Sequence, residues 1–600
     1  MEKDMTVGTP RKIIFNFTMP IFIGNIFQQF YNMADTVIVG KFVGNAALAA
    51  VGACGTLVFL IIGFLQGVTA GFTVVTAQHF GAGNMKAMKK SVASGAVLTG
   101  IVTVILTLLS MISMAKVLHL MNTPSDMYGE AYGYIMVICG GIVAQALYNY
   151  LASVLRALGD SKRPLYFLVV AALLNIVLDL VFVLVFGVST LDVTNDAFCR
   201  GGYIEKDIQQ HYAGWLFYRQ SSAGWPLCIA RGINYPDGLS VAYTDSIPLV
   251  AALLKPVANL VGGTFQYMGW FTLVCFALQG GFGALLAGLF LPGCAAPLAA
   301  DLLFVTSPVL FERVFRHTSL GAQFFVLAAL YFYFAARRKW QYASRGLFAL
   351  NVLAVGIHPY FLPMTYAITL ALLLEYALHN RQLAGPGLYL AANFGGTALL
   401  GWALGLLYGS ASSGGQALYG YFCMNLNALW NPVGVNGVLY SRVLPAQNQV
   451  YGNYDAFAYL GLGVLIALPI AVVLLRRQLG GMLRRHWALA FCCAVLTVFA
   501  ISNVITANGA TLATLPLPAS LIKLFSIFRS SGRLFWPIYY LLMLLPLVGL
   551  ARLKGRWLLA GAALLAVVQV WDVSPGMVQR SAAMLQAMQT DAFPTEMESD

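Results

Sequence analysis
A chain of 600 residues that is 59% hydrophobic and only 10% charged lacks the charge to cover a water-facing surface, since soluble domains are roughly 25% charged. The formal net charge of +13 is therefore not a nucleic-acid signal; it fits the lysine and arginine excess of cytoplasmic loops. These features exclude a soluble enzyme and leave the lipid bilayer as the first expected partner.

The segment Met1–Lys12 holds Glu2 and Asp4, and the apolar run after it is interrupted by Pro20, Asn25, Gln28 and Gln29 with no small-residue cleavage site. It reads as a first membrane helix rather than a removed signal. Apolar runs recur at Val92–Met114, Leu165–Phe186, Phe271–Leu291, Gly387–Leu407, Ala456–Leu475 and Trp557–Val570. None alternates as barrel strands do, and only helices and closed barrels satisfy their backbone groups in lipid. The fold class expected is an all-α integral membrane protein of about fifteen spans, each needing about 20 apolar residues. The basic segments Lys86–Lys90, Arg156–Arg163, Arg337–Arg345, Arg476–Arg485 and Arg552–Arg556 are placed in the cytoplasm by the positive-inside rule. The N-terminus is then inside, and Thr190–Thr244, Gly409–Tyr454, Thr506–Leu534 and the tail from Asp572 lie outside. The setting expected is the cell membrane of a bacterium.

Nine cysteines show no CxxC pair and no metal-ligand spacing. Cys199 and Cys228 share one outer segment, where a disulfide is open to them. Composition changes along the chain. Residues 1–188 hold eight Lys, three Arg and no Trp, whereas 189–600 hold five Lys, nineteen Arg and all ten Trp. Topology demands no such switch, so two modules of different ancestry are expected, joined near Phe186–Thr190. The division is 1–188 as five helices, 189–245 as an outer loop with interfacial helices, 246–575 as a membrane bundle, and 576–600 as an outer tail.

In the first module, Asp35 lies within the first helix and Asp179 within the fifth, in Asn175-Ile176-Val177-Leu178-Asp179. A carboxylate inside a span costs at least about 2.5 kcal/mol, so such groups face cavities and serve ions or protons. Asn175 and Asp179 are four residues apart and share a helix face. Asn149 adds an amide oxygen from the fourth helix. Two carboxylates and two amides suit a hard cation or a shared proton; interhelical hydrogen bonding that only fixes packing is the competing reading. The run Tyr31-Asn32-Met33-Ala34-Asp35-Thr36-Val37-Ile38-Val39-Gly40 resembles the first helix of the multidrug and toxic compound extrusion (MATE) family. Gln78-His79-Phe80-Gly81-Ala82-Gly83 and Arg156-Ala157-Leu158-Gly159-Asp160-Ser161 resemble its later turns. The resemblance covers about residues 8–186. It implies two six-helix lobes that exchange sodium ions or protons for organic cations or drugs, with Asp35, Asn149, Asn175 and Asp179 as the cation site. Here the sixth helix and second lobe are replaced by a polar segment from Gly187. Alternating access needs two lobes, so transport implies a second lobe from elsewhere or a homo-oligomer.

The second module opens with Asp207-Ile208-Gln209-Gln210-His211 and an aromatic-rich stretch to Arg219, then Trp225-Pro226 and Tyr243-Thr244-Asp245. On a helix Asp207 and His211 share one face and suit a metal or a proton transfer; a solvated loop pairing with Lys206 or Arg219 is the alternative. His358, in Gly356-Ile357-His358-Pro359-Tyr360, reads as a packing residue. Arg529 and Arg533, in Phe528-Arg529-Ser530-Ser531-Gly532-Arg533, offer charge-assisted bonds to a lipid phosphate or anchors to headgroups. Residues 173–575 resemble a bacterial family of multi-pass proteins related to the GT-C glycosyltransferases. That resemblance implies a polyprenyl-phosphate sugar donor, an outward active site and often a divalent metal. It puts an essential acid at Asp207, with Asp245 as runner-up and His211 beside it. MATE-type antiport stands first as the function. Glycosyl transfer stands second, and an inactive or artefactual fusion of two fragments third. The fifth helix serves both modules.

Overall fold
The computed structural model describes residues 9–38, 40, 45–125, 127–165, 168, 182, 184–201, 207–293, 295–408 and 418–590. The chain forms two compact units, Met1–Asp179 and Leu180–Asp600. Most of the described residues are helical, and the sheets among them are two antiparallel pairs. Ten helices among the described residues are long and apolar enough to cross a membrane. The sequence suggested about fifteen spans. The fifth, Leu165–Phe186, falls largely outside the described residues, and several other apolar runs form helices of 15 residues or fewer, such as Pro248–Val261 and Trp487–Ile501.

The first unit holds α1 (Pro10–Ile38), α2 (Asn45–Gly81), α3 (Met85–Leu120) and α4 (Tyr128–Ala157). Its core lies where α2 meets α4. Ala131, Ile135, Cys139, Ile142 and Ala146 recur every three or four residues along α4 and pack against Ala50, Cys54, Ile61 and Leu65 of α2. Small residues at this seam let the backbones approach, the usual device where lipid supplies no hydrophobic drive between helices. The opposite faces are apolar and uncovered: Phe59 is 79% exposed and Ile112 77%. That inside-out pattern suits lipid, not water. The turns are built from glycine. Gly83 and Gly159, at φ +71° and +82°, end α2 and α4 in a left-handed conformation that suits glycine. Asn84 then caps α3 by accepting from the Ala87 N–H at 3.1 Å.

The second unit begins with short turns and α5 (Asp207–Gln220), a hairpin of β1 (Ile229–Ala230) and β2 (Leu239–Ser240), and α6 (Pro248–Val261). Then come α7 (Met268–Gly288), α8 (Ala295–Val305), α9 (Pro308–Arg313), α10 (Phe324–Ala335), α11 (Trp340–Ile357), α12 (Phe361–Asn380) and α13 (Ala384–Ala403). After a long loop follow α14 (Leu462–Arg485), α15 (Trp487–Ile501), the β3–β4 hairpin (Val504–Ala507, Ala510–Thr514), α16 (Trp536–Leu550) and α17 (Arg556–Gln589). The helices α10 and α12 run away from the loops carrying His317 and His358, and α15 runs back toward them, so one bundle has two distinct ends.

The tail expected from residue 576 is instead the continuation of α17, with Gly576, Met577, Arg580, Met584 and Ala587 buried. Asp572, within the same helix, is engaged by the bundle. It is buried and accepts from Ser441 Oγ and Tyr459 OH at 2.6 Å each and from the Leu462 N–H at 2.9 Å. Cys199 and Cys228 are both free thiols. The Cys228 Sγ donates to the Pro248 carbonyl at 3.2 Å, and the disulfide left open by the sequence is not formed.

One close approach near the start of α7 is testable. A Cβ on Gly269 would lie 1.8 Å from the Thr190 carbonyl oxygen, which also accepts from Gln266 Nε2 at 2.9 Å. Gly269→Ala is expected to destabilise the protein by about 3 kcal/mol, at the upper end of overpacking costs, as read from thermal unfolding in micelles. Gly281→Ala, with open space on the same helix, is the control and should be neutral or slightly stabilising. Equal midpoints for the two variants would refute the close approach.

Candidate functional site
In the first unit the structure describes one of the four expected cation ligands fully. Asn149 is buried in α4, at 6% exposure, and its Nδ2 has no hydrogen-bond partner among the described residues. An unpaired buried donor costs free energy; a cation would be held by the amide oxygen, not by this nitrogen. Asp35 belongs to α1, but its side chain lies outside the described residues, as do Asn175 and Asp179 entirely. Asp160, in the motif after α4, has a local structural role. Its Oδ1 accepts from the Lys162 and Arg163 N–H groups at 3.1 Å each.

The second unit gathers a dense polar centre at one end of its bundle. His211 sits on α5, and the Asp245 turn is held against that helix. Ser246 Oγ donates to the His211 carbonyl at 2.7 Å, and Tyr267 OH donates to the Ser246 carbonyl. Gly214 makes the approach possible, because a Cβ there would lie 2.1 Å from Thr244 Oγ1. The turn is strained. Asp245 has φ +59° and Ile247 φ +52°, conformations that cost of order 1–3 kcal/mol and gather at functional sites.

This turn aims the Asp245 carboxyl between two imidazoles. His211 Nε2 lies 3.4 Å from Oδ2, and His358 Nε2 lies 3.5 Å from Oδ1. Ser319 Oγ donates to Oδ1 at 2.6 Å. The tautomer of His358 follows from its neighbours: Nδ1 accepts from the Tyr360 N–H at 3.1 Å, leaving the proton on Nε2 and pointed at Asp245. Burial pushes the Asp245 carboxyl up to about 7, with Ser319 and Arg533 opposing and Asp207 adding to the rise. Burial also lowers His211 to about 3 and, aided by Arg533, holds His358 well below the usual imidazole range. At neutral pH the two imidazoles are therefore neutral donors around a carboxyl that is near half-ionised. Such a carboxyl is poised to take a proton from a substrate hydroxyl.

Asp207 stands at the mouth of the centre. At 38% exposure it is more open than Asp245 at 18%, and its Oδ2 lies 3.3 Å from His317 Nε2. Behind it runs a buried row of charge. Arg313 Nη1 donates to Asp455 Oδ1 at 2.7 Å, and Arg533 meets the same carboxylate through Nε and Nη2 at 3.0 Å each. Arg316 approaches it at 3.9 Å. Glu312 takes Arg580 Nη2 at 2.6 Å. Burial works to raise the Asp455 carboxyl, but Arg533, Arg313 and Arg316 outweigh it and hold it well below the usual range. Among the described ion pairs of this row, four arginines, Arg313, Arg316, Arg533 and Arg580, meet two carboxylates, Asp455 and Glu312. The field of this row suits an anionic group arriving beside Asp245.

The expectations fare unevenly here. Asp207 and His211 do lie on one helix, but each pairs with a residue far along the chain instead of with the other. Arg533 is not available as half of a lipid-phosphate clamp with Arg529, because Asp455 takes its fork, whereas Arg529 is exposed. The two share no helix face, since the stretch is made of separate 3₁₀ turns, Ser526–Phe528 and Ser531–Phe535. His358, read as a packing residue, faces Asp245. His317, Asp455, Arg313 and Arg316 carried no local sequence signal. Among the described residues no three His, Cys, Asp or Glu side chains converge to hold a divalent metal.

Comparison with known proteins divides the chain in the same place. Residues 20–181 match the MatE family model, and residues 174–574 match the model described as a domain of unknown function (DUF6311). The "Probable multidrug resistance protein YpnP" of Bacillus subtilis is 32% identical over 183 residues, 30% of this chain and 41% of the relative. The "Probable multidrug resistance protein NorM" of Thermotoga maritima is 30% identical over 178 residues, 30% of this chain and 38% of that protein. The chain thus spans about two fifths of the length of these curated relatives. A solved MOP superfamily transporter from Pyrococcus furiosus aligns along 98% of both chains, at 15% identity and a TM-score of 0.29, too low to bear on the fold. The chain is a multi-pass helical membrane protein whose first part is similar to MATE-family transporters, and through the 401 residues from 174 to 574 it belongs to the DUF6311 family.

Proposed function
We propose that the first unit is the cation-binding part of a MATE-type transporter, exchanging sodium ions or protons for organic cations or drugs. The observation that carries this reading is the match of residues 20–181 to MatE, with Asn149 buried in α4 inside that segment. Asp35, Asn175 and Asp179 complete the site in the proposal. Ion binding to the two carboxylates favours one state of the lobe, and its release with entry of the organic cation favours the other. Because alternating access needs two lobes, a second copy or another chain supplies the missing half. The setting is the cell membrane of a bacterium, with the N-terminus cytoplasmic and the C-terminus outside. In proteoliposomes, ion-gradient-dependent efflux of a fluorescent organic cation is expected from the parent chain. At least about tenfold should be lost in Asp35→Asn, the cost of one missing charge contact. Equal efflux from the variant would sink the site.

A second reading rests on a different observation, the Asp245 carboxyl near pH 7 between two neutral imidazoles. On this reading the second unit transfers a sugar from a polyprenyl-phosphate donor at the outer face. Asp245 acts as general base toward the acceptor hydroxyl, His211 and His358 orient it, and the positive field of the arginine row favours an anionic donor without direct contact. Asp207 guides the acceptor at the mouth.

A further inference from the structure
A cavity lies at the other end of the same bundle. The helices α10 and α12 leave the His317 and His358 loops and end there, at Ala335 and Asn380, and α15 starts there at Trp487. At 1.5 Å per residue the 20 residues of α12 put the two ends about 30 Å apart. The cavity measures 760 Å³, and its lining includes Arg337, Arg484, Arg485, Trp340, Tyr376 and Trp487. That volume is within the roughly 300–1,000 Å³ of small-molecule sites.

The charges are arranged asymmetrically. Among the carboxylates only Glu375 lines this cavity, and it is already engaged. Tyr333 OH donates to its Oε1 at 2.6 Å, and Arg337 Nη2 lies 3.4 Å from its Oε2. Arg337 is in turn fixed by donating to the Arg485 carbonyl at 2.7 Å. Arg484 and Arg485 remain as exposed guanidinium groups over the mouth. His486, also hydrogen-bonded to Tyr333 at 2.9 Å, is lowered to about 4 by burial and by Arg337 and Arg485, which reports the positive field. One wall is aromatic: Trp340 stacks on Tyr376 with centroids 4.2 Å apart. The rim is apolar and open, with Leu378 62% exposed and Trp487 44%.

We propose that this cavity seats the phosphate headgroup of an anionic membrane lipid. Guanidinium forks match phosphate oxygens, interfacial Trp and Tyr sit at headgroup depth, and Leu378 and Trp487 offer the acyl chains a path along the bundle. Basic pockets between membrane helices on the cytoplasmic side commonly take such headgroups, and Arg337–Arg345 and Arg476–Arg485 mark this as the cytoplasmic end. The site is independent of the Asp245 centre and of the transporter reading.

The test uses the full chain in nanodiscs of mixed phosphatidylcholine and phosphatidylglycerol, followed by native mass spectrometry. The parent chain should retain phosphatidylglycerol in preference to phosphatidylcholine. Arg484→Gln/Arg485→Gln should reduce that retention at least about tenfold. Arg338→Gln/Lys339→Gln, which removes the same charge just outside the cavity, should leave it unchanged. Leu378→Glu, on the rim, should expel the lipid by repulsion while sparing the arginines. Equal losses from the two double variants would reduce the effect to general surface attraction and overturn the site. So would inorganic phosphate protecting the detergent-solubilised chain from thermal unfolding as well as phosphatidylglycerol does, because the occupant would then be free phosphate.

Discussion

Asp455→Ala is expected to cost the protein about 3–5 kcal/mol, the range for removing one partner from a buried ion pair. The reason is the company this carboxylate keeps. Arg313, Arg533 and Arg316 all turn toward it, and Arg313 and Arg316 are almost wholly buried. Without Asp455 those guanidinium groups lose their counter-charge and cannot reach water. The pH sign follows from the depressed carboxyl. Its stabilising contribution is full above the ordinary carboxylate pKa of about 3.9 and is lost only as pH falls through the lower folded value. At neutral pH the whole effect is therefore visible. Denaturant unfolding in micelles is the measurement, with Asp237→Ala, at an exposed acid, as a control expected within about 0.5 kcal/mol of the parent. A loss from Asp455→Ala no larger than the control's would mean that the arginines find other partners.

Asp245→Asn is expected to reduce sugar transfer by about 10²–10⁴-fold, the usual worth of a positioned general base. In the parent chain the rate should rise with pH through about 7, where Asp245 loses its proton, and then level off. The residual rate of the variant should lack that step. A second readout needs no activity. A carboxyl whose folded pKa is raised contributes stability that is full below its unfolded pKa and is lost as pH rises through the folded value. The variant carries no such penalty. Its unfolding midpoint should gain on that of the parent between about pH 5 and about pH 8, a span bracketing the raised pKa. A constant difference across that range would falsify the assignment of Asp245 as the poised carboxyl, whatever the sugar chemistry.

How far the sequence could be read differs between fold and site. The membrane class follows from composition because a bilayer leaves the backbone few options. The approximate start of α5 and the shared face of Asp207 and His211 follow from local periodicity. Their partners do not. Asp245, His317 and His358 come from separate loops, and their meeting depends on how α5, α6 and α7 stack, which no spacing rule reports. Asp455 looked like an ordinary acid at the end of an outer segment. Only three arginines from distant turns make it the anchor of a buried row. Arg529 and Arg533 were expected together at a lipid phosphate, but the chain there breaks into separate 3₁₀ turns and Asp455 engages Arg533. Residues 576–600 were expected as an outer tail, yet α17 runs through Pro575 to Gln589 and buries Arg580 against Glu312 and Tyr440.

That last helix has a consequence for how the protein is made. Asp572 fastens the loops at Ser441 and Tyr459, Arg580 fastens Glu312, and Ala587 packs so tightly on Gly201 that a Cβ there would lie 1.8 Å from its carbonyl oxygen. The first turns of the second unit and its central loops are thus fastened by a helix that is synthesised well after them. Growth of the chain from its amino end leaves these contacts open until α17 has been made.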